Sequence, residues 1–384
     1  MEEEVHKVAF VATVFRHLEA FHLPFIKMLQ KKGVEVHAIS RKGNGKQALV
    51  DEQVKCHEIE FRRFPFHPAN ISALYHLIQN FKKEKYKLVH VHTPVGSILG
   101  RYAAKAAKIP KVIYTAHGFH FHEQGSTFNW LFYPIEWFFA RWTDVLITIN
   151  TEDAARASSF PVRKKAIFIP GVGVDTGKFG PVKKASVRKQ KREELGIPES
   201  AFVILCVAEI NKNKNQVQLL RAIRLLKTRY PQIKCLLVGE GNGERELKKY
   251  VKDMSLQAEV MHAGFRTDID ELLAAADLFC LTSKREGLPK AVMEAMSAGK
   301  PVIATKIRGC RDLITHGENG YLVPVNNHEL TASYIAKLIE NPSLLERMGE
   351  SSLQLVRQFE LSSILSDMEK VYVECLMDPL KEPE

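Results

Sequence analysis

Short apolar runs alternate with amphipathic stretches along almost the whole chain. Residues 8–14 form an apolar run, followed by a polar turn at residues 13–17 and an amphipathic segment over 21–31, which Gly33 breaks. Residues 34–39 then read as a strand, 74–81 have helical spacing, and 88–92 read as a buried strand. A helix over 96–108, a strand over 112–115, an aromatic-rich helix over 129–141 and strands at 144–149 and 166–169 complete the first half. The pattern then restarts, with strands at 202–207, 234–238, 260–262, 278–282 and 301–304 separated by helical segments at 216–229, 244–252, 269–275 and 290–298. Strand–helix alternation of this kind predicts parallel sheets covered on both faces. Two such α/β halves predict a ligand site at the carboxyl ends of their strands, in a cleft between them.

The boundary is expected in residues 181–198, where Lys183, Lys184, Arg188, Lys189, Lys191 and Arg192 occur with almost nothing apolar. The predicted organisation is a domain over 1–180, a basic linker over 181–198, a second domain over 199–360 and a final segment over 361–384. Net charge is +11, distributed as +9, +4 and −2 over residues 1–180, 181–198 and 199–384. A basic first half attracts anionic membranes, anionic substrates or nucleic acid, but the dispersed cations carry no nucleic-acid recognition motif. No apolar run reaches the roughly 20 residues that span a bilayer. The acidic start at Met1-Glu2-Glu3-Glu4 does not read as a signal peptide. The six cysteines have no CxxC spacing, and Cys206, Cys235 and Cys280 sit in apolar runs. They read as buried thiols, in a cytoplasmic protein. Neither half carries GxGxxG or GxxxxGK[ST].

The densest chemistry lies in residues 283–299, SKREGLPKAVMEAMSAG. A loop carrying Glu286-Gly287-Leu288-Pro289 leads into a helix, with Glu294 eight residues after Glu286. Free amides and the dipole at a helix start form an anion site that suits a diphosphate. Carboxylates accept from the vicinal hydroxyls of ribose and hexose. Spacing alone leaves an equally weighted alternative, in which Glu286 caps the helix and Glu294 is merely exposed.

The stretch EGLPKAVMEAMSAGKPVIAT resembles the E-x7-E motif of glycosyltransferase family 4. Flanking similarity includes Ala276-Asp277-Leu278-Phe279, Gly309, Asp312-Leu313-Ile314, Gly317 to Val323, Leu237 to Gly241, and Gly264-Phe265, and it extends over essentially the whole chain. The resemblance implies an α/β, GT-B fold: two Rossmann-like domains with parallel sheets facing a central cleft, the donor held mainly by the second. It implies a retaining transfer from a nucleotide diphosphate donor, commonly a UDP-sugar, with no required metal or other cofactor. Glu286 then contacts the donor sugar, Glu294 the ribose, and the Gly287, Leu288 and Pro289 segment the diphosphate, with Glu240 and Phe265 also on the donor side. The family usually places an Arg and, five residues later, a Lys after the first strand of the second domain. Here Lys214 fits the Lys, but Glu209 stands at the Arg position, in AEINKNKN. This segment resembles a branch from capsule, exopolysaccharide and lipid-linked glycan assembly.

In the first domain, residues 115–122, TAHGFHFH, follow a strand. Three His in a Phe-rich loop without a carboxylate make a weak metal motif, and no metal is expected. By resemblance His117 lies near the donor sugar. Arg16, His17, His92 and His120 are expected on the acceptor side, while His90 reads as internal to the sheet. The implied acceptor is a glycan on a polyprenyl pyrophosphate. The basic first domain, with aromatics at 61–66 and 128–139, is expected to sit peripherally on the inner face of the cell membrane. An epimerase or hydrolase of the same fold, or a non-catalytic nucleotide-sugar binder, are the alternatives. The final segment is expected to form a helix crossing back to the first domain.

Overall fold

A computed structural model of the chain describes residues 6–62, 64, 67–123, 127–180 and 184–377. Two units result: Met1–Val172 together with Ser362–Glu384, and Gly173–Leu361. Among the described residues the first unit contains β1 (Lys7–Val14), β2 (Glu35–Arg41), β3 (Lys55–Glu58), β4 (Leu88–Val91), β5 (Lys111–Ala116), β6 (Val145–Thr148) and β7 (Lys165–Phe168). These lie in the order β3-β2-β1-β4-β5-β6-β7, with every neighbouring pair parallel. The second unit contains β8 (Phe202–Val207), β9 (Ile233–Val238), β10 (Val260–His262), β11 (Leu278–Leu281), β12 (Val302–Thr305) and β13 (Gly320–Val323). Their order is β10-β9-β8-β11-β12-β13, again all parallel. Helices cover both faces, so central strands such as β4, β6 and β11 are buried throughout and mostly apolar, with His90 and Thr148 as their buried polar positions.

Strand order reverses between β1 and β4 in the first unit and between β8 and β11 in the second. At such a point neighbouring loops diverge to opposite faces and leave a crevice at the strands' carboxyl ends. The candidate residues lie at these two crevices.

Three boundaries differ from the sequence expectation. Residues 13–17 do not form a separate turn: helix Phe15–Gln30 starts directly after β1, burying Phe15, Leu18, His22, Phe25, Ile26 and Leu29 at helical spacing. Its N-cap is Val14, which offers no side-chain cap, so the sequence carries no start signal. The basic stretch expected as a linker is helix Lys184–Glu194, packed within the second unit. Arg188 and Arg192 both bind Asp277, at 2.6 and 2.8 Å, and Arg192 also donates to the carbonyls of Glu199, Ala201 and Ala275. The division therefore falls near residue 172, and Lys183 lies outside the described residues. Helix Leu361–Met377 supplies Ile364, Met368, Val371, Tyr372 and Cys375 to the first unit's core.

Candidate functional site

In the second unit two loops meet beyond β8 and β11. Asn215, at φ +52°, donates to the carbonyl of Thr282 at 3.1 Å and its own carbonyl accepts from the Thr282 hydroxyl at 2.9 Å. Lys284 N–H donates to Asn213 O at 2.7 Å, and Asn213 Nδ2 to Arg285 O at 3.0 Å. This stitching brings Lys214 Nζ to 2.6 Å from Glu286 Oε1. Burial works to lower the Lys214 pKa, but the charge and hydrogen bond of Glu286 prevail and hold it above the usual lysine value. The lysine is a fixed cation.

Helix Lys290–Ser297 begins next to this pair, with Pro289 as N-cap and no side-chain cap. Glu286 is therefore not the cap, and the dipole at this helix start favours an anion beside it. Glu294 lies on this helix with its side chain 14% exposed and 3.9 Å from Lys290 Nζ. Burial raises its carboxyl above the usual range. Leu288 is buried beneath the turn. Gly287 lies against Gly309: a Cβ on Gly309, which has φ +75°, would meet the Gly287 carbonyl oxygen at 2.1 Å.

This close approach carries a residue that the sequence analysis missed. Arg308, buried one position before Gly309, directs Nε toward the Glu286 carbonyl oxygen at 3.5 Å. Partial burial and the like charge of Arg308 lower the Arg285 pKa. Lys214, Arg285 and Arg308 thus surround a single turn. Gly309 was the available signal, since a positive-φ glycine after β12 marks tight backbone contact. Glu209 is exposed beyond β8, with its backbone carbonyl accepting from Gln216. Glu240 and Phe265 are exposed beyond β9 and β10. Gly239 lets these strand ends approach, because a Cβ there would meet Ala208 O at 2.1 Å.

In the first unit the crevice beyond β1, β4 and β5 is lined by histidines. Thr13 and Thr93 join the ends of β1 and β4, Oγ1 to Oγ1 at 2.7 Å. His117 Nε2 lies 3.1 Å from His22 Nε2 and 3.4 Å from His92 Nδ1. The His17 ring meets His117 edge-on, with centroids 4.5 Å apart. Desolvation lowers the pKa of all four, His17 to about 4, and neighbouring histidines add to the effect on the other three. They are neutral at pH 7. His22 was missed because the expected helix began at residue 21 and left His17 in a separate turn, which hid that the two rings share one helix. Arg16 is exposed at the same helix start. His120 turns from the cluster and packs 4.9 Å from Phe132. His90 is internal to the sheet, bonded to Thr115 and Tyr372. Arg101, which follows β4, is also buried and pairs with Glu136 at 2.7 Å.

Family comparison matches residues 187–354 to the model described as glycosyl transferases group 1, and residues 7–150 to glycosyl transferase 4-like. EpsD of Bacillus subtilis (strain 168), named as a glycosyltransferase, is 38% identical over 95% of this chain and 96% of its own length. The UDP-Gal:α-D-GlcNAc-diphosphoundecaprenol α-1,3-galactosyltransferase of Escherichia coli is 29% identical over 80% of this chain and 81% of its own. Among solved structures, Anabaena Alr3699/HepE in complex with UDP and glucose has TM-score 0.81, with 22% identity, 96% of this chain and 100% of that one covered.

Proposed function

The chain belongs to glycosyltransferase family 4, and on that premise we propose that it moves a hexose or N-acetylhexosamine, with retention, from a UDP-sugar to a growing lipid-linked glycan. Its coarser role, a glycosyltransferase of polysaccharide or lipid-linked glycan assembly, follows from the relatives named above. The finer reading rests on one observation: Lys214 and Glu286 are paired at 2.6 Å at the turn that opens helix Lys290–Ser297. That turn offers cations and amides to a diphosphate, and carboxylates to hydroxyls. HepE binds UDP and UDP-glucose on the same fold, which supports a uridine donor.

In this mechanism the anomeric C–O bond to the diphosphate breaks through an oxocarbenium-like state. Developing charge on the leaving group falls on Lys214, Arg308, the backbone N–H groups of Gly287 and Leu288 and the helix dipole. The acceptor hydroxyl attacks on the face from which the diphosphate departs and gives its proton to a phosphate oxygen. Glu286 and His117 orient the sugar, and Glu294 holds ribose. Unlike a retaining glycosidase, the reaction forms no bond to a carboxylate. With these cations at the diphosphate, it requires no metal. The test is a panel of nucleotide sugars screened by thermal shift, then product analysis with a polyprenyl pyrophosphate-linked acceptor. Free sugar without a glycosidic product would favour a hydrolase, and tight nucleotide binding without turnover a binding protein.

Glu294 gives this reading a pH signature. Its folded carboxyl is raised, and its charged form accepts from the two ribose hydroxyls, so UDP affinity should fall as pH drops through that raised value. Glu294→Gln should remove this loss, so the two proteins' UDP affinities should converge between about pH 8 and pH 5. A raised folded carboxyl contributes stability below its unfolded value and loses it as pH rises. Without nucleotide, the variant should therefore melt higher than wild type at the alkaline end. Calorimetric titration and melting across that range check both signs.

Membrane attachment is the remaining part of the reading. Helices Ala69–Glu84, Pro94–Ala106 and Phe132–Ala140 pack in series and expose Ile71, Tyr75, Tyr102 and Phe138. Exposed Lys82, Lys83, Lys105 and Arg141 accompany them. Phe61, by contrast, is core, and Phe66 lies outside the described residues. No helix among the described residues is long and apolar enough to cross a membrane. Basic residues around apolar side chains suit an anionic bilayer surface. The protein should co-sediment with phosphatidylglycerol vesicles and be released by high salt, and Ile71→Glu with Phe138→Glu should abolish binding. Equal binding to neutral vesicles would contradict the electrostatic part.

A further inference from the structure

The histidine cluster of the first unit has too few protons and partners for its nitrogens. A neutral imidazole has one N–H and one lone pair, and each ordinarily finds a partner when buried. Here His17 Nε2, His22 Nδ1 and His92 Nε2 are buried and have none. Toward one another the rings offer nitrogens that all lie within 4.8 Å for His17, His22, His92 and His117. His117 Nε2 faces nitrogens of both His22 and His92, and whichever tautomers are adopted the opposite nitrogens of those two rings stay buried without partners.

We propose that His17, His22, His92 and His117 form a binding site for one zinc-class transition-metal ion. Zinc–imidazole bonds of about 2.0–2.1 Å in a tetrahedron put neighbouring nitrogens about 3.3–3.4 Å apart. The pairs His22 Nε2–His117 Nε2 and His117 Nε2–His92 Nδ1, at 3.1 and 3.4 Å, already have that spacing. His17 completes the set, with its ligand nitrogen within 4.8 Å of the other three. Three elements supply the ligands: helix Phe15–Gln30, the end of β4 and the end of β5. An all-imidazole set without a carboxylate selects zinc, cobalt, nickel or copper and disfavours magnesium and calcium.

Two other groups could be compared on proximity, and both are already neutralised. Glu84, near His37 and His57, binds Lys55 at 3.2 Å and Lys7 at 3.4 Å, while the two rings bond to Tyr86 and Asn80. Glu194, Asp268 and Glu271 surround Lys191, with contacts of 2.5–2.8 Å. The four-histidine site stands apart in having unpartnered nitrogens. Its outer nitrogens lack the carboxylate or carbonyl acceptors that tighten ligand histidines, so binding should be of about micromolar strength rather than that of a structural zinc. The proposed transfer does not pass through the ion. An ion on Nε2 of His117 would instead fix its proton on Nδ1, leaving that N–H as the donor to a sugar hydroxyl.

The test uses the untagged full chain, stripped with chelator and titrated with zinc and with cobalt(II), reading bound metal by elemental analysis and the visible cobalt spectrum. One equivalent is expected, with the intense absorption of tetrahedral cobalt. His22→Asn and His92→Asn should each weaken binding at least tenfold, and His57→Asn should leave it unchanged. Should a buried variant fail to fold, His117→Asn, nearer the surface, replaces it. No retained equivalent, octahedral cobalt, or loss with His57→Asn instead would overturn the site. None of these readouts depends on transferase activity, so a failed acceptor assay and a failed metal site remain distinguishable.

Discussion

Glu286→Gln is expected to reduce kcat for sugar transfer by about 100- to 1000-fold, the size of effect seen when one preorganised polar contact is removed from a reacting centre. UDP binding should be unchanged or tighter. The asymmetry follows from the ion pair: Glu286 holds Lys214 Nζ at 2.6 Å and so shares a cation that the diphosphate also needs. Neutralising the carboxylate leaves Lys214 and Arg308 to the phosphates while the sugar loses its acceptor. Arg308→Gln should do the reverse, weakening UDP binding while leaving less of its effect in kcat once donor is saturating. The two variants together separate a residue that positions the sugar from one that neutralises the leaving group. Calorimetry with UDP and a labelled-donor transfer assay give the two readouts, with melting temperature to show that both variants are folded. Full activity in Glu286→Gln would remove the basis of the site.

The second unit's candidate site was legible in the sequence because its parts are contiguous. Glu286, Gly287 and Glu294 lie in one loop–helix segment, and a helix start after a strand is enough to place an anion there. The pairing of Glu286 with Lys214 was not legible, because the two lie 72 residues apart and only pairing of β8 with β11 brings their loops together. Arg308 was missed for the same reason, and it supplies a cation near the turn where Glu209 has displaced the expected one. The basic stretch around Arg188 and Arg192 shows the opposite error. Six cations with few apolar neighbours resemble a solvated linker, yet the guanidiniums are satisfied by Asp277 and backbone carbonyls. Composition records charge but not the carbonyl groups that a fold turns toward it. Histidines are unevenly legible: His90 and His92 fall where their places in and just after β4 suggest, one within the sheet and the other in the crevice cluster, whereas His120 packs against Phe132.

Arg101 yields the largest expected loss of stability. It lies in helix Pro94–Ala106, is 1% exposed and is wholly engaged inside the first unit. One guanidinium nitrogen binds Glu136 at 2.7 Å, Nε donates to Ser97 O at 3.1 Å, and the group stacks over Tyr114 at 4.3 Å. Tyr114 in turn donates to Glu136 at 3.3 Å. Arg101→Met keeps much of the stem's packing but strands the Glu136 charge, which should cost about 3–5 kcal/mol. Adding Glu136→Gln removes the stranded charge, so the double variant should recover most of the loss, a coupling that a simple packing defect would not produce. Denaturant unfolding of the wild type, both single variants and the double variant gives this cycle. At low temperature, each variant's transferase activity per folded molecule should stay near that of wild type. An activity loss without destabilisation would instead move Arg101 from the first unit's core to its functional crevice.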